Sequence, residues 1–396
     1  MDLIFFYFYK VTGQLLPVYP IYVLFFQYKG LSLLSISLLL IIWSIPSLLL
    51  EIPSSILADR WNRRNLLIIG SVLKGLCFFT WVISDAFLGF AIGFLLWGIG
   101  EACCSGTEEA WLYDCLKAKS QEIEFDRIWG KSTFYSQLAV GVSSIVGSLL
   151  ATVSMSLTLW LSVCLIIVSA LFAGLLKEFN HQESTNSGSQ FRNYLNTLHE
   201  AVRFCLTHKF VPLMISFSVT VLITAGVLDE YDQLIVRSMG VPLGLVGLWG
   251  FSRYGMEALG GIVAWRFKKL FIAIGITRQF SMQICLAVVS GLMLLFVAGY
   301  PILILLPIYG LYYFLMSCAS VLFTDSLQQS IEHQGRATVQ SLTALLESVG
   351  GILICSVFGV AGGFDHLHGA MKVVAIWILV GCILFWTLQR RRNFKD

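Results

Sequence analysis

Apolar stretches long enough to cross a bilayer recur along the whole chain, and most of the polar breaks between them are only a few residues long. A spanning helix needs about 20 mostly apolar residues. Within lipid every backbone polar group must be paired inside its own segment, so such a run forms a helix. The pattern predicts spans over 3–28, 34–58, 65–84, 87–116, 128–151, 156–176, 209–236, 241–265, 279–298, 300–326, 336–362 and 369–388. The fold class is therefore all-α and membrane-embedded, with twelve transmembrane helices. One long polar stretch, "KEFNHQESTNSGSQFRNYLNTLHEAVRFCLTHK" (177–209), divides the chain into two six-helix bundles, 1–176 and 209–396, joined by a linker over 177–208. Its first part is rich in Ser, Asn and Gly. In its second part Phe191, Tyr194, Leu195, Leu198, Val202 and Cys205 fall at helical spacing and predict an amphipathic helix on the membrane face.

Twelve spans put both termini on one side, and Lys and Arg in short loops are retained on the cytoplasmic side. One alternating set of segments carries most of the 26 basic residues: Arg60, Arg63 and Arg64; Lys117, Lys119, Arg127 and Lys131; Lys177, Arg192, Arg203 and Lys209; Arg266, Lys268, Lys269 and Arg278; Arg336; and Arg390, Arg391, Arg392 and Lys395. The other set carries Lys29, Arg237 and Lys372. The termini are expected in the cytoplasm. The net charge of +3 thus reports topology, and no basic patch with interleaved aromatics marks a nucleic-acid partner. Composition agrees, since 57% hydrophobic residues, 12% charged residues and a mean hydropathy of +0.80 exclude a soluble globular domain. The first apolar run lacks a basic n-region and a small-residue cleavage site, so it is read as a retained span and not a signal peptide. Ten scattered cysteines with no CxxC spacing read as apolar packers, with no disulfide and no metal site.

The two halves are related by repetition. A slide of 206 residues sets "EIPSSILADRWNRR" (51–64) on "EALGGIVAWRFKKL" (257–270), matching Glu51 with Glu257, Ala58 with Ala264 and Arg60 with Arg266. A slide of 211 sets "WLYDCL" (111–116) on "LFTDSL" (322–327), matching Asp114 with Asp325, and a slide of 209 matches Arg127 with Arg336 and Gly141 with Gly350. Nearly constant offsets at equivalent places indicate two parallel repeats of six helices.

Between spans two and three the chain reads Ser55-Ile56-Leu57-Ala58-Asp59-Arg60-Trp61-Asn62-Arg63-Arg64. Twelve spans in two halves with this loop resemble the major facilitator superfamily of secondary transporters, whose signature there runs Gly-x-Leu-Ala-Asp-Arg-x-Gly-Arg-Arg. Ser55 and Asn62 replace both glycines, and every charge is kept. "GEACCSGTEEAWLYDCL" (100–116) and "RATVQSLTALLESVGG" (336–351) are similar to stretches of a bacterial drug-efflux-like branch. The resemblance implies two bundles rocking about a midplane site, with helices one, four, seven and ten lining the cavity. It also implies a charged cytoplasmic gate made of Asp59, Arg60, Arg63, Arg64, Asp114 and Arg336. In the second half Asp59's counterpart is Trp265, so that copy has kept its cations and lost the acid.

Ionisable groups inside spans are costly and by default mark a pathway or a pair. Here they are Lys10, Glu51, Lys74, Glu101, Glu108, Glu109, Asp229, Glu230, Asp232, Arg253, Glu257 and Glu347. Glu101 and Glu108, seven residues apart on span four, are the first choice for proton exchange or cation contact, because a desolvated carboxylate is poised to exchange a proton. Glu109 is expected to point elsewhere, into helix packing. On span seven, Asp229 or Glu230 is expected at the cavity, with Asp232 in the same acidic run. Arg253 and Glu257, four apart on span eight, can pair along one face, and Glu347 suits a pathway or a gate equally. Lys74 is read as neutralising an acid from a helix outside the cavity. Tyr9, Tyr309, Tyr312 and Tyr313 fall on the cavity helices and, with the acids, suggest a site for an amphiphilic organic molecule, cationic ones included.

Enzymatic readings lack material: the chain has no Gly-rich phosphate loop, no nucleophile elbow, and none of its six histidines inside a predicted span. His366 and His368 read as solvated loop residues. The expectation is a monomeric, multi-pass transporter of the bacterial inner membrane with no cofactor, which exports a small organic molecule against protons by alternating access. The alternatives are a proton-coupled importer of a nutrient or metal chelate, with Lys10, Lys74 or Arg253 as anion contact, and a membrane receptor that transports nothing.

Overall fold

The structure, a computed structural model, describes residues 2–58, 61–178, 210–330, 336–361 and 363–391. The side chains of 47–48, 51–58, 336–338 and 340–341 lie outside that description, as do Asp59, Arg60 and the linker from 179 to 209. Among the described residues there is no strand, and nine helical stretches are long and apolar enough to cross a membrane.

Most predicted spans recur as single helices: α3 (Leu33–Ala58), α4 (Arg63–Ile83), α7 (Phe125–Val153), α8 (Met155–Gly174), α11 (Val246–Ala273), α12 (Gln279–Gly299), α13 (Leu306–Ser330), α14 (Arg336–Val360) and α15 (Leu367–Arg391). Three do not. The span expected over 3–28 is α1 (Asp2–Gln14) and α2 (Tyr22–Tyr28) with turns between them. Pro17 and Pro20 supply no N–H donor and clash with the preceding turn, so the helix stops there. The Val18 N–H left over donates to the Ser162 hydroxyl on α8 at 3.1 Å. The span over 87–116 is α5 (Phe87–Cys104) and α6 (Thr107–Lys117), broken at Ser105 and at Gly106, whose φ of +70° is left-handed and open to glycine. The span over 209–236 is α9 (Val211–Phe217), a π-helical turn (Ser218–Leu222) and α10 (Ile223–Ser238).

The chain forms two compact units. The first is Met1–Leu31, Leu38–Phe191 and Pro242–Phe251; the second is Ser32–Ser37, Arg192–Val241 and Ser252–Asp396. In the first, α4 packs along α5 and α8, and α1 along α7 and α8. A Cβ on Gly70 would come 2.8 Å from the Gly100 carbonyl oxygen, and one on Gly100 the same distance from that of Gly70, so only glycine allows α4 and α5 this approach. Phe6 stacks on Trp111 at 5.2 Å in a buried cluster that also holds Tyr9, and Ser169 on α8 donates to the Tyr9 carbonyl at 2.9 Å. These contacts fix the face of α1 that carries Tyr9 and Lys10. In the second unit α12 packs along α13 and α15, and α14 packs against the π turn.

Candidate functional site

The first unit holds an open cavity of about 370 Å³ walled by α1, α4, α5, α6, α7 and α8, a size in the usual range for small-molecule sites. Five charged side chains line it: Lys10, Lys74, Glu101, Glu108 and Glu109. Lys10 forms an ion pair with Glu108 and lies 4.9 Å over the Trp129 ring. The other Glu108 oxygen accepts from the Tyr9 hydroxyl at 2.9 Å, and that hydroxyl also lies 3.7 Å from the Cys104 sulfur. Glu101 accepts from the Trp97 indole N–H at 2.7 Å. Lys74 donates to the Tyr19 hydroxyl at 2.7 Å and sits 5.3 Å and 5.2 Å from the Tyr19 and Trp97 ring centroids.

The cavity thus brings together Glu101, Glu108 and Tyr9. Two expectations change. Glu109 lines the wall, because the break at Ser105 and Gly106 re-aims α6 relative to α5. Lys74 lines it too instead of lying outside; it donates to a tyrosine and stands within electrostatic reach of Glu101, the kind of acid it was expected to neutralise. Trp97 was legible as a partner: it lies four residues before Glu101, one turn away on the same helix face.

The second unit holds a separate polar cluster. Arg253 on α11 is 3% exposed and contacts three carboxylates: Asp229 through Nη2, Asp232 through Nε at 3.2 Å and Glu257 through Nη1 at 2.7 Å. Asp232 Oδ1 also accepts from Tyr309 and, at 2.9 Å, from Tyr313, both wholly buried on α13. Tyr312, also wholly buried, lies 3.3 Å from the Thr224 hydroxyl. These three tyrosines are packed into the unit and do not face open space as cavity aromatics would. Asp232, three residues from Asp229 and so on the same helix face, is the member of the cluster given least weight in the sequence reading. Glu230 is half-buried within electrostatic reach of Tyr254. Glu347 accepts from Ser218 in the π turn.

Of the residues expected at the gate, Arg63 forms an ion pair with Asp114 and donates to the Ala110 carbonyl at 2.7 Å. Glu178 accepts from the backbone N–H groups of Arg63 and Arg64 at 3.1 Å and 3.2 Å, capping the start of α4. Asp59, Arg60 and the Arg336 side chain lie outside the described residues. Asp325, the repeat counterpart of Asp114, pairs with Lys268 at 2.8 Å. Trp265 lies beneath two cations, with Arg266 at 5.3 Å and Lys269 at 4.7 Å from its ring. The aromatic face therefore occupies cations where the first repeat has an acid. His368 sits in the first turn of α15, 2.8 Å from the Ser238 hydroxyl, and is half-buried by its neighbours instead of solvated.

The residue pattern that defines the Major Facilitator Superfamily matches residues 3–355. The chain is 22% identical over 408 residues to the uncharacterized MFS-type transporter YxaM of Bacillus subtilis (strain 168), covering 98% of this chain and 96% of the relative. Among solved structures it is similar to the nucleoside transporter NupG, with a TM-score of 0.78, 14% identity and 100% of each chain covered. It is also similar to an auto-inhibited POT family peptide transporter, with a TM-score of 0.71, 13% identity, and 100% of this chain and 98% of that one covered. At such identities these likenesses carry the fold alone.

Proposed function

This chain belongs to the Major Facilitator Superfamily, and from that premise we propose that it exports a small polar organic molecule bearing an amino group, in exchange for protons, across a bacterial cytoplasmic membrane. Family membership makes it a multi-pass secondary transporter of a small molecule and not an enzyme. What supports the finer reading is Glu101. It lines the cavity with a Trp97 N–H as its hydrogen-bond donor, and among the described residues no lysine or arginine lies within ion-pair distance of it. With all groups ionised, three glutamates against two lysines leave the cavity one negative charge in excess. Such a charge inside a membrane protein is unfavourable and calls for a proton or a cationic group. A proton and a substrate amine satisfy the same carboxylate and exclude each other from it, and that exclusion is the logic of exchange.

The polar lining favours a small molecule that carries charge over the amphiphile expected from the aromatic content. Export is favoured by the similarity of 100–116 and 336–351 to drug-efflux-like members. The test is flux of labelled amino acids, nucleosides and dipeptides in proteoliposomes with an imposed pH gradient. Glu101→Gln should abolish pH-driven flux of the compound that the wild type moves, while exchange of that compound across the membrane survives. Equal pH-driven flux in wild type and Glu101→Gln would rule out the assignment.

A further inference from the structure

The Arg253 cluster of the second unit plays no part in the exchange just described, yet its charges do not balance. One guanidinium faces Asp229, Asp232 and Glu257, so full ionisation leaves two uncompensated negative charges around a side chain that is 3% exposed. The three carboxylates are not equivalent. Asp232 is itself buried; its Oδ1 accepts from both Tyr309 and Tyr313, and its Oδ2 faces Arg253 Nε. Asp232 thus has both tyrosine donors on one oxygen and the guanidinium on the other, and serves as the buried counter-ion of Arg253. Asp229 and Glu257 each meet a different terminal guanidinium nitrogen, and their side chains keep 34% and 31% exposure. No tyrosine hydroxyl donates to either among the described residues. Glu257 is also fixed from behind, since its backbone carbonyl accepts from Ser317 on α13 at 2.7 Å.

We infer that Asp229 and Glu257, sharing the Arg253 guanidinium, form a second proton-exchange site distinct from the cavity of the first unit. Among the described residues, the charged and titratable groups around it are Asp229, Glu230 and Asp232 from α10, Arg253, Tyr254 and Glu257 from α11, and the buried tyrosines of α13. Arg253 is the one cation among them. The Tyr254 ring, 4.1 Å from the guanidinium carbon, covers one face of that cation and keeps it in place while a proton comes and goes. When Asp229 or Glu257 takes a proton, Arg253 keeps its remaining carboxylates; when the proton leaves, both acids return to the guanidinium. The site itself rests on this geometry alone, whereas its use in transport rests on the proton-coupled reading above. There it makes the cycle carry a proton in addition to the one exchanged at Glu101.

Protons are the probe for the test. Infrared difference spectra of the purified full chain, reconstituted in lipid and stepped between acid and alkaline buffer, report the carbonyl stretch of each protonated carboxyl that ionises. The wild type should show two components. Glu101→Gln should delete one, and Asp229→Asn or Glu257→Gln should delete or shift the other, while Glu257→Asp retains it. Labelling the aspartate carboxyls with heavy carbon in the wild type and in Asp229→Asn picks the Asp229 contribution out of the chain's ten aspartates; the expected result is an isotope-shifted component that Asp229→Asn removes. The inference is overturned if no component shifts with aspartate label and the Asp229→Asn and Glu257→Gln spectra match the wild type. If Glu101→Gln deletes nothing but the second-unit variants do, this site stands and the coupling carboxylate of the first unit is misassigned.

Discussion

Lys10 and Glu108 are the pair through which the first cavity is held together, and their removal has a magnitude that follows from the contacts. Their side chains are 13% and 20% exposed. Lys10→Met leaves Glu108 with the Tyr9 hydroxyl as a remaining donor, whereas Glu108→Gln leaves Lys10 an ammonium over the Trp129 ring with no carboxylate in direct contact. Breaking a wholly buried pair from one side costs about 3–5 kcal/mol. This pair borders an open cavity, so water solvates part of the stranded charge. The charge-assisted hydrogen-bond range of about 1.5–3 kcal/mol is then the better scale for each single variant. The double variant Lys10→Met/Glu108→Gln strands nothing and should be destabilised less than the sum of the two, by about 1.5 kcal/mol or more. Equilibrium unfolding of the purified protein in mild detergent measures all four corners of the cycle. Strict additivity of the two single effects would refute the pairing, and with it the charge balance assigned to the cavity.

Gly100→Leu drives a side chain into the Gly70 backbone on α4, so it should cost about 1–3 kcal/mol of stability and reduce cavity-dependent transport together with it; thermal unfolding and flux of the same preparation check this. Asp114→Asn and Asp325→Asn each replace a charge-assisted contact with a neutral one, and each should cost about 1 kcal/mol by chemical unfolding. A loss for Asp114→Asn with none for Asp325→Asn would contradict their equivalence across the repeat. At the start of α1, the hydrogen bond from Lys119 to Asp2 (3.0 Å) holds the Asp2 carboxyl below the usual carboxylate range. Its contribution is present above the unfolded value of about 3.9 and is lost as pH falls through the lower folded value. The stability deficit of Asp2→Asn should therefore be seen at pH 7 and vanish in strong acid.

Helix extents were legible because a spanning run is long and uniformly apolar: α4, α8, α12 and α15 begin and end within a few residues of the predicted bounds. The interruptions were carried by quieter signals. Pro17 and Pro20 lie inside an unbroken apolar run, and hydropathy does not register that proline lacks an N–H. Gly106 needed a left-handed φ, which composition does not reveal. The acids of both clusters stood out because any charge in an apolar run does, but their partners come from distant segments: Lys10 meets Glu108, and Arg253 meets Asp229. Spacing within one helix exposes Arg253 with Glu257, or Trp97 with Glu101. Contacts between helices depend on how closely glycines such as Gly70 and Gly100 let them approach. The tyrosines of α13 were legible as a group on one helix, while Asp232, the common acceptor of Tyr309 and Tyr313, was not.

Exchange of substrate for protons is the central claim, and linkage makes it testable from the substrate side. Proteoliposomes are loaded with the transported compound and a pH-sensing dye, then diluted into compound-free buffer at equal pH with the membrane potential clamped. An antiporter must draw protons inward as the compound leaves, so the lumen should acidify in the wild type and hold its pH in Glu101→Gln. A lumen that turns alkaline would establish co-transport, and one that stays unchanged while the compound escapes would establish uncoupled passage; either result contradicts the account.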